Sequence, residues 1–415
     1  MIKKVKPTLI AAFLAITFGT CATAFAQDPK PFYRGGFDHQ IVEAKNGAKV
    51  NASYRQFLSE GAFGGTPIIE VRKGVWTVSG YSLNNYTFVE GKTGLIAFDS
   101  GSSIGMGQTV LKMVQEKVNK PVVAIIYSHH HYTGGAQAYA ASNPDKKVEV
   151  YGHPDVDQNL AGSSKVLGPM LNRRGGIQLG LYLPQEGPDA AYGPAEPHFK
   201  NAALTAHGHL PVTHPVKEGE EVMIDGHKVI FYHVVADTRD SIIAHFPDLN
   251  LALHNAAAVN MLFSLYTLRG DYYRTPVDVI AGIDKLRDLN EEYVIGVHGL
   301  PLSGDDAVEV TTAHRDAYAF TYNQSVRSLN KGMNADEMVE AIRLPKHLRD
   351  HPKLFPGYVD HEYNVRGQYR GIVGWYEEDT ADLHPPTTKE LGETFIELGG
   401  GIDKLITSAQ KAFGE

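Results

Sequence analysis

The sequence predicts an α/β fold, an αββα sandwich in which two β-sheets pack between helices, followed by a mainly helical region. Short apolar runs and hairpin turns fill residues 68–99, and a helix and a buried strand follow at 106–126. A second stretch rich in hairpins returns at 221–254. Strands on both sides of a helical middle are typical of two sheets sandwiched between helices. The pattern becomes helical after about residue 305.

Hairpin and helix signals define the individual elements. The pairs Lys73-Gly74 and Asp225-Gly226 separate apolar runs in the way that tight hairpin turns do. We therefore predict strands at residues 68–71, 75–78, 86–89, 95–98, 122–126, 222–224, 229–235, 241–246, 249–253 and 294–297. Apolar spacing of three and four residues predicts helices at 106–118, 277–289, 307–329, 334–342, 391–398 and 402–413.

Residues 155–215 interrupt this pattern. The segment is rich in Gly, Pro and Ser, and it contains the pair Arg173-Arg174. A long, weakly patterned insertion is usually a lid or a binding loop and not part of the core. We expect this segment to cover a site.

The first 26 residues are expected to be a signal peptide. A basic start is followed by an apolar core and by Ala24-Phe25-Ala26, a small-residue cleavage site before Gln27. Cleavage there removes Cys21, the single cysteine of the chain. The mature protein would then be exported, periplasmic or secreted, and any metal in it would rest on His and carboxylate ligands. The domains expected are the signal peptide at 1–26, a metal-binding domain at 27–305 and a helical region at 306–415.

Charge and hydropathy exclude several classes of partner. The signal peptide contains three lysines and no acidic residue, so its removal changes the formal net charge from −8 to −11. Such a surface disfavours nucleic acid and anionic lipid, and the chain has no basic tract. No stretch after the signal peptide reaches the length of a membrane span. We expect a small-molecule substrate, no nucleic acid and no membrane span.

The most informative segment is the strand at 122–126 with the histidines that follow it. The β-branched run ends just before His129, His130 and His131, and Gly134-Gly135 then allow a tight turn into a helix. Alternate side chains of an extended segment point the same way, so His129 and His131 can converge on a divalent metal. The alternative is a loop in which the histidines are merely solvated. Three adjacent histidines after a β-strand pattern favour the metal site over this alternative.

Other candidate ligands also follow apolar strands. The carboxyl ends of neighbouring strands tend to open on one rim, so separate segments can build a single site. The residues in question are Asp99, Asp237, Asp240, His254 and His298. Each residue could instead have a purely structural role: Asp99 can cap a helix, and His254 can be a hydrogen-bonded core residue.

These motifs resemble a known family. The order of hairpins, Leu-Ile-Ala-Phe-Asp-Ser-Gly at 95–101, helix, strand and His-x-His before Gly-Gly resembles the metallo-β-lactamase fold. The alkyl sulfatase group of that fold is matched more specifically, over roughly residues 68–400. The matching segments are 126–129, 173–174, Leu-Tyr-Thr-Leu-Arg-Gly at 265–270, 314–318, 323–327, 364–366 and 374–376. The resemblance implies a helical dimerisation region after the catalytic domain, and hence a homodimer. The sterol-carrier-like domain that follows in the family would have no room before Glu415.

The metal motif departs from the family pattern His-x-His-x-Asp-His-x-Gly-Gly. His129 and His131 match its first two histidines, but the Asp-His pair that the family uses for a second zinc is missing. Asp237 and Asp240 lie in a segment that usually carries a glutamate, and His254 replaces a bridging glutamate. His298 matches the last histidine of the set. The resemblance therefore implies one ion, zinc before iron or manganese, with the second position impaired.

The resemblance implies an exported metallohydrolase that cleaves an ester of an apolar substrate with a polar or anionic head. Asp240 is the candidate for proton relay. Arg269, and less surely Arg173 or Arg174, would bind the anionic head through paired donors, and Tyr266 would line the pocket. Two alternatives stay open: a lyase, isomerase or oxygen-dependent enzyme with a single metal, and a catalytically silent ligand-binding protein.

Overall fold

The computed structural model describes residues 40–60, 68–192 and 206–414. The predicted signal peptide at 1–26 lies outside these residues. The first described element is a two-stranded ribbon of β1 (Ile41–Glu43) and β2 (Lys49–Asn51). No helix in these three ranges is both long enough and apolar enough to cross a membrane.

Two larger sheets form the body of the protein. The first has the strand order β3 to β9, antiparallel up to β6 and parallel from β6 onward. Its strands are β3 (Ile68–Arg72), β4 (Val75–Val78), β5 (Tyr86–Glu90), β6 (Leu95–Phe98), β7 (Val122–Ile126), β8 (Glu149–Gly152) and β9 (His214–Pro215). The short parallel run places the ends of β6 and β7 side by side, with Phe98 opposite Ile126. Asp99 and the histidine run therefore emerge at the same edge.

The second sheet has the order β10 to β15 and is antiparallel except between β13 and β14. Its strands are β10 (Glu220–Ile224), β11 (His227–Val234), β12 (Ser241–Phe246), β13 (Leu251–His254), β14 (Tyr293–Gly296) and β15 (Leu302–Ser303). Asp225 and Gly226 join β10 to β11, and both have positive φ angles, 42° and 98°. The Asp-Gly pair is typical of such turns because an L side chain other than Asn or Asp rarely adopts this conformation.

Helices cover the outer faces of both sheets. The α-helices among the described residues are α1 (Ala52–Glu60), α2 (Ile104–Gln115), α3 (Ala136–Ala141), α4 (Val156–Ala161), α5 (Gly168–Gln178), α6 (Pro276–Leu289), α7 (Asp305–Leu329), α8 (Ala335–Ala341), α9 (Lys346–Arg349), α10 (His361–Val373), α11 (Thr388–Leu398) and α12 (Ile402–Gly414). A π-helical turn, Gly162–Val166, joins α4 to α5. The segment 155–215 is thus helical in its first half, where its apolar spacing was too weak to predict helices.

The apolar core has three main layers. The central layer joins the two sheets and includes Ile126 of β7 and Phe231 of β11. A second layer lies between the first sheet and α2 and α3, and a third lies between the second sheet and α6 and α7. This arrangement confirms the predicted αββα sandwich. The boundary predicted near residue 305 coincides with the start of α7, but α7 packs into the core of the second sheet, so the boundary itself stays a prediction.

Candidate metal centre

The histidine run leaves β7 in a defined geometry. His129 is extended, with φ −173° and ψ −175°, and His130–Tyr132 form a 3-10 turn. Gly134 and Gly135 then lie so close to the loop after β6 that a Cβ on either would overlap the main chain of Ser102 or Ser100. The two glycines are therefore required for the close approach that brings the histidines over the sheet edge.

Two of these histidines converge on a carboxylate after β11. Oδ2 of Asp237 lies 3.0 Å from Nε2 of His129 and 2.9 Å from Nδ1 of His131. Within the described ranges, these three residues form the group whose ligand atoms all lie within 4.8 Å of one another. Two imidazole nitrogens and a carboxylate oxygen are a donor set that suits zinc and other divalent metals. The residues therefore fit the metal that the sequence predicts.

A buried network orients His129. Oγ of Ser128 lies 2.7 Å from Nδ1 of His129 and donates a hydrogen bond of 2.6 Å to Oδ2 of Asp99. The Ser128 N–H donates to Oδ1 of the same carboxylate. Because this network holds Nδ1, the ring directs Nε2 toward Asp237. Burial raises the pKa of Asp99 to about 6. Both oxygens of Asp99 accept hydrogen bonds from Ser128, so Asp99 orients Ser128 and does not itself face the metal-binding group.

The protonation states of His131 and Asp237 suit metal binding. Burial alone would lower the pKa of His129, but the contact with the carboxylate of Asp237 raises it above its ordinary value. Burial lowers the pKa of His131 to about 3, which keeps its imidazole neutral. Burial alone would raise the pKa of Asp237, but the imidazoles and the guanidinium of Arg274 hold it well below its ordinary value. A neutral imidazole and an ionised carboxylate are the forms in which these side chains bind metals.

Arg274 is a functional residue that the sequence did not reveal. Its side chain is 3% exposed, and Nη2 donates a 2.8 Å hydrogen bond to Oδ1 of Asp237. Nη1 donates to the carbonyl oxygen of Ser264, and the guanidinium lies over the ring of Phe263. The two oxygens of Asp237 therefore have different neighbours, two imidazoles on one side and a buried cation on the other. No motif in the irregular segment 271–275 signalled this contact.

Asp240, the predicted proton relay, contacts His130 and does not itself reach the cavity. The residue is fully buried and does not line the cavity described below. Its carboxylate accepts from the His130 N–H at 3.0 Å and lies 3.0 Å from Nδ1 of His130. Asp240 therefore orients His130, which does line the cavity, and the role of Asp240 in proton relay stays a prediction.

His254 and His298 do not join the metal-binding group. Nδ1 of His254 accepts a hydrogen bond from the Ala256 N–H, and burial lowers the pKa of His254 to about 3. Its ring is therefore a neutral, buried imidazole whose Nδ1 is hydrogen-bonded and whose Nε2 has no hydrogen-bond partner among the described residues. His298 donates from Nδ1 to the carbonyl oxygen of Leu83 at 2.7 Å and lines the cavity, with its ring 5.6 Å from that of Tyr132.

A cavity of about 640 Å³ opens beside this group. Its polar wall includes His130, His131, Asp237, Arg269 and His298. Most of the remaining wall is apolar or aromatic. These side chains include Tyr54, Leu58, Leu83, Tyr132, Leu160, Leu171, Leu179, Leu183, Val259, Met261, Phe263, Leu268 and Tyr358. A large apolar cavity with a few convergent polar groups is typical of a small-molecule site.

The four predicted substrate-binding residues differ in their position relative to the cavity. Arg269 lines the cavity, and Nη2 lies 3.0 Å from Oδ2 of Asp271 and 3.5 Å from Nε2 of His131. Tyr266 packs against Gly367 and is not in the cavity wall. Arg173 and Arg174 are exposed and also lie outside the wall. Only Arg269 of the four is therefore placed to contact a ligand.

Comparisons with known proteins agree on one group. Residues 334–415 match the alkyl sulfatase dimerisation family. The chain is 33% identical over 333 residues to a linear primary-alkylsulfatase of Pseudomonas sp., covering 78% of this chain and 62% of that protein. It is 27% identical over 365 residues to an (R)-specific secondary-alkylsulfatase of Pseudomonas sp., covering 83% of this chain and 54% of the relative.

A solved structure supports the same fold. The stereoselective inverting sec-alkylsulfatase Pisa1 from Pseudomonas sp. superimposes with a TM-score of 0.74 at 22% identity, over 96% of this chain and 69% of that one. The chain spans 52% to 62% of the length of the curated relatives it matches. We conclude that this chain is a relative of the alkyl sulfatases with a metallo-β-lactamase fold and, at residues 334–415, an alkyl sulfatase dimerisation region.

Proposed function

We propose that this protein is a metal-dependent hydrolase of alkyl sulfate esters. The observation that carries the proposal is the composition of one cavity wall. It combines a metal-binding group, the guanidinium of Arg269 beside His131, and a large apolar surface. An alkyl sulfate has a matching division into an anionic head and an apolar tail. The relatives are named as primary and secondary alkylsulfatases, which supports the same class of substrate.

The reaction adds water across the ester linkage and releases an alcohol and hydrogen sulfate. Arg269 would bind the sulfate oxygens through its planar fork of N–H donors, and the apolar wall would hold the alkyl chain. His130, oriented by Asp240, and His298 complete the polar wall around the head group. Zinc, when bound, supplies Lewis acidity that polarises the ester and favours the ionisation of water.

We propose that the centre holds one ion, with zinc as the metal. Oδ2 of Asp237 faces His129 and His131, whereas Oδ1 is bound to Arg274. Because Oδ1 is bound to Arg274, Asp237 is not free to bridge two ions with one oxygen on each, which opposes a second ion at Oδ1. The missing Asp-His pair of the family motif supports the same count.

Metal analysis and turnover together test the proposal. The purified protein is analysed for metals and incubated with decyl sulfate below its micelle concentration. We expect about one zinc per chain and equimolar release of decanol and sulfate, abolished by a chelator and restored by zinc. Decyl phosphate and decyl acetate serve as control esters. Metal binding without sulfate release would contradict the proposal and, with iron or manganese as the metal, would favour a lyase, isomerase or oxygen-dependent reaction.

We propose that the protein is exported, to the periplasm or the medium. The support is the basic start, apolar core and Ala24-Phe25-Ala26 site of the N-terminal segment. We expect the mature chain to begin at Gln27, because signal peptidase cleaves after small residues at such positions. N-terminal sequencing of the protein from a secreting host measures this. A chain that keeps Met1 and stays in the cytoplasm would contradict it.

We propose that the protein is a homodimer that assembles through its C-terminal helices. The dimerisation-family match covers α11 and α12, which carry the exposed apolar side chains of Phe395, Leu398 and Phe413. Burial of these apolar side chains against a second copy would favour association. We expect light scattering after size exclusion to give twice the chain mass, and Phe395→Asp to shift it toward the monomer. A wild-type monomer at micromolar concentration would overturn the proposal.

A further inference from the structure

Helix α5 contacts the turn that carries Arg269 as well as the cavity. Leu171, Gly175 and Gln178 of α5 form part of the cavity wall. The wall also includes Leu268 and Arg269. Two side chains of α5, Arg174 and Gln178, bond to the main chain of this turn.

Residues 267–270 form a tight turn. The Gly270 N–H donates to the carbonyl oxygen of Thr267 at 3.0 Å, and Gly270 has a φ of 88°. This bond closes the turn and leaves the carbonyl oxygens of Leu268 and Arg269 without a partner inside it. Those two oxygens need hydrogen-bond donors from outside the turn.

Arg174 supplies both contacts. Its Nη2 donates to the carbonyl oxygen of Leu268 at 2.6 Å, and its Nε donates to the carbonyl oxygen of Arg269 at 2.7 Å. The two donors belong to one rigid, planar guanidinium, so together they fix the orientation of two successive peptide planes. A lysine carries the same charge but has no such fork.

Gln178, one helical turn further along α5, bonds to the N–H of Arg269, whereas Arg174 bonds to its carbonyl oxygen. Its Oε1 accepts from the Arg269 N–H at 2.7 Å, and its Nε2 donates to the hydroxyl of Tyr358 at 2.8 Å. The N–H and the carbonyl oxygen of Arg269 are thus both held by α5. The guanidinium of Arg269 then extends toward His131 and Asp271.

We propose that Arg174 and Gln178 are positioning residues that fix Arg269 and thereby set the affinity of the site for a sulfate head group. The inference rests on the proposed function, because it assigns Arg269 to the head group of the substrate. It also gives a role to one member of the Arg173-Arg174 pair. Arg174 acts on the ligand through the main chain of Arg269, and Arg173 does not act on it.

The neighbouring arginines provide a matched pair of variants. Arg174→Gln removes the fork, whereas Arg173→Gln removes an equal charge from an exposed position on the same helix. We expect Arg174→Gln to raise KM for decyl sulfate about tenfold, with a smaller change in kcat, since the head group is bound in both the ground state and the transition state. KM for octyl sulfate and for dodecyl sulfate should rise by the same factor, because the contacts with the alkyl tail are intact. Arg174→Lys should recover only part of the loss.

Two measurements do not depend on turnover. Hydrogen exchange of the peptide that covers residues 266–270 should be faster in Arg174→Gln and in Gln178→Met than in Arg173→Gln. Calorimetric binding of inorganic sulfate should be weakened in the same two variants, at unchanged metal content. If wild-type protein binds sulfate but does not hydrolyse the esters, the proposed function fails and these measurements still test the positioning role. Equal exchange and equal sulfate affinity in the two arginine variants would overturn it.

Discussion

Replacement of His131 with alanine is expected to empty the metal centre and to reduce alkyl sulfate hydrolysis by about a thousandfold. The remaining group would have one imidazole and one carboxylate, too few ligands to hold zinc against a chelator. Loss of a Lewis acid removes several kcal/mol of transition-state stabilisation, and each 1.36 kcal/mol is a tenfold change in rate. Metal analysis after dialysis and the rate of sulfate release measure the two effects.

The fold should survive this change. His131 lines the cavity with 20% of its side chain exposed, so its removal creates little new void in the core. Asp237 keeps its contacts with His129 and Arg274. His347→Ala is the matched control, because His347 is exposed on α9. A zinc content and rate in His131→Ala equal to those of the control would show that the metal binds elsewhere.

The site shows which features the sequence could predict. His129, His131 and Asp237 each follow a strand with a clear apolar pattern, and the ends of strands in packed sheets meet at a common edge. The local pattern was therefore sufficient to predict their convergence. His254 also follows such a strand, but the side chain at the end of β13 is directed into the core, where Ala256 caps its ring. Position at a strand end does not determine which side of the sheet a side chain faces.

Residues that act through long-range contacts could not be predicted in this way. Arg274 meets Asp237 across 37 positions, and Arg174 meets Arg269 across 95. Neither has a periodic pattern around it, because each lies in an irregular segment or on the exposed side of a helix. Helix α10 was missed for a related reason: its Arg, Gln and Tyr residues obscure an apolar face that packs on α8. Only the folded structure brings such pairs together.

Replacement of Arg274 with methionine is expected to destabilise the metal-free protein by about 3–5 kcal/mol. Removal of one partner from a buried ion pair leaves the other charge poorly compensated, and here the carboxylate of Asp237 would keep only its contacts with the two imidazoles. The carbonyl oxygen of Ser264 would also lose its donor. Urea denaturation in the presence of a chelator measures the loss. Arg287→Met is the control, since Arg287 forms a half-exposed pair with Asp284 and should cost less than about 1 kcal/mol.

The pairing between Arg274 and Asp237 predicts a coupling that can be measured separately from the total loss. Asp237→Asn leaves the buried guanidinium of Arg274 with only the more distant carboxylate of Asp271, at 4.0 Å, whereas the double variant Asp237→Asn with Arg274→Met removes both charges. The double variant should therefore be more stable than the sum of the two single losses predicts. Zinc should also restore part of the stability of Arg274→Met, because a bound cation compensates the carboxylate that has lost its guanidinium partner. Additive losses with no greater benefit from zinc than in wild type would show that Arg274 contributes by packing against Phe263 and not by charge.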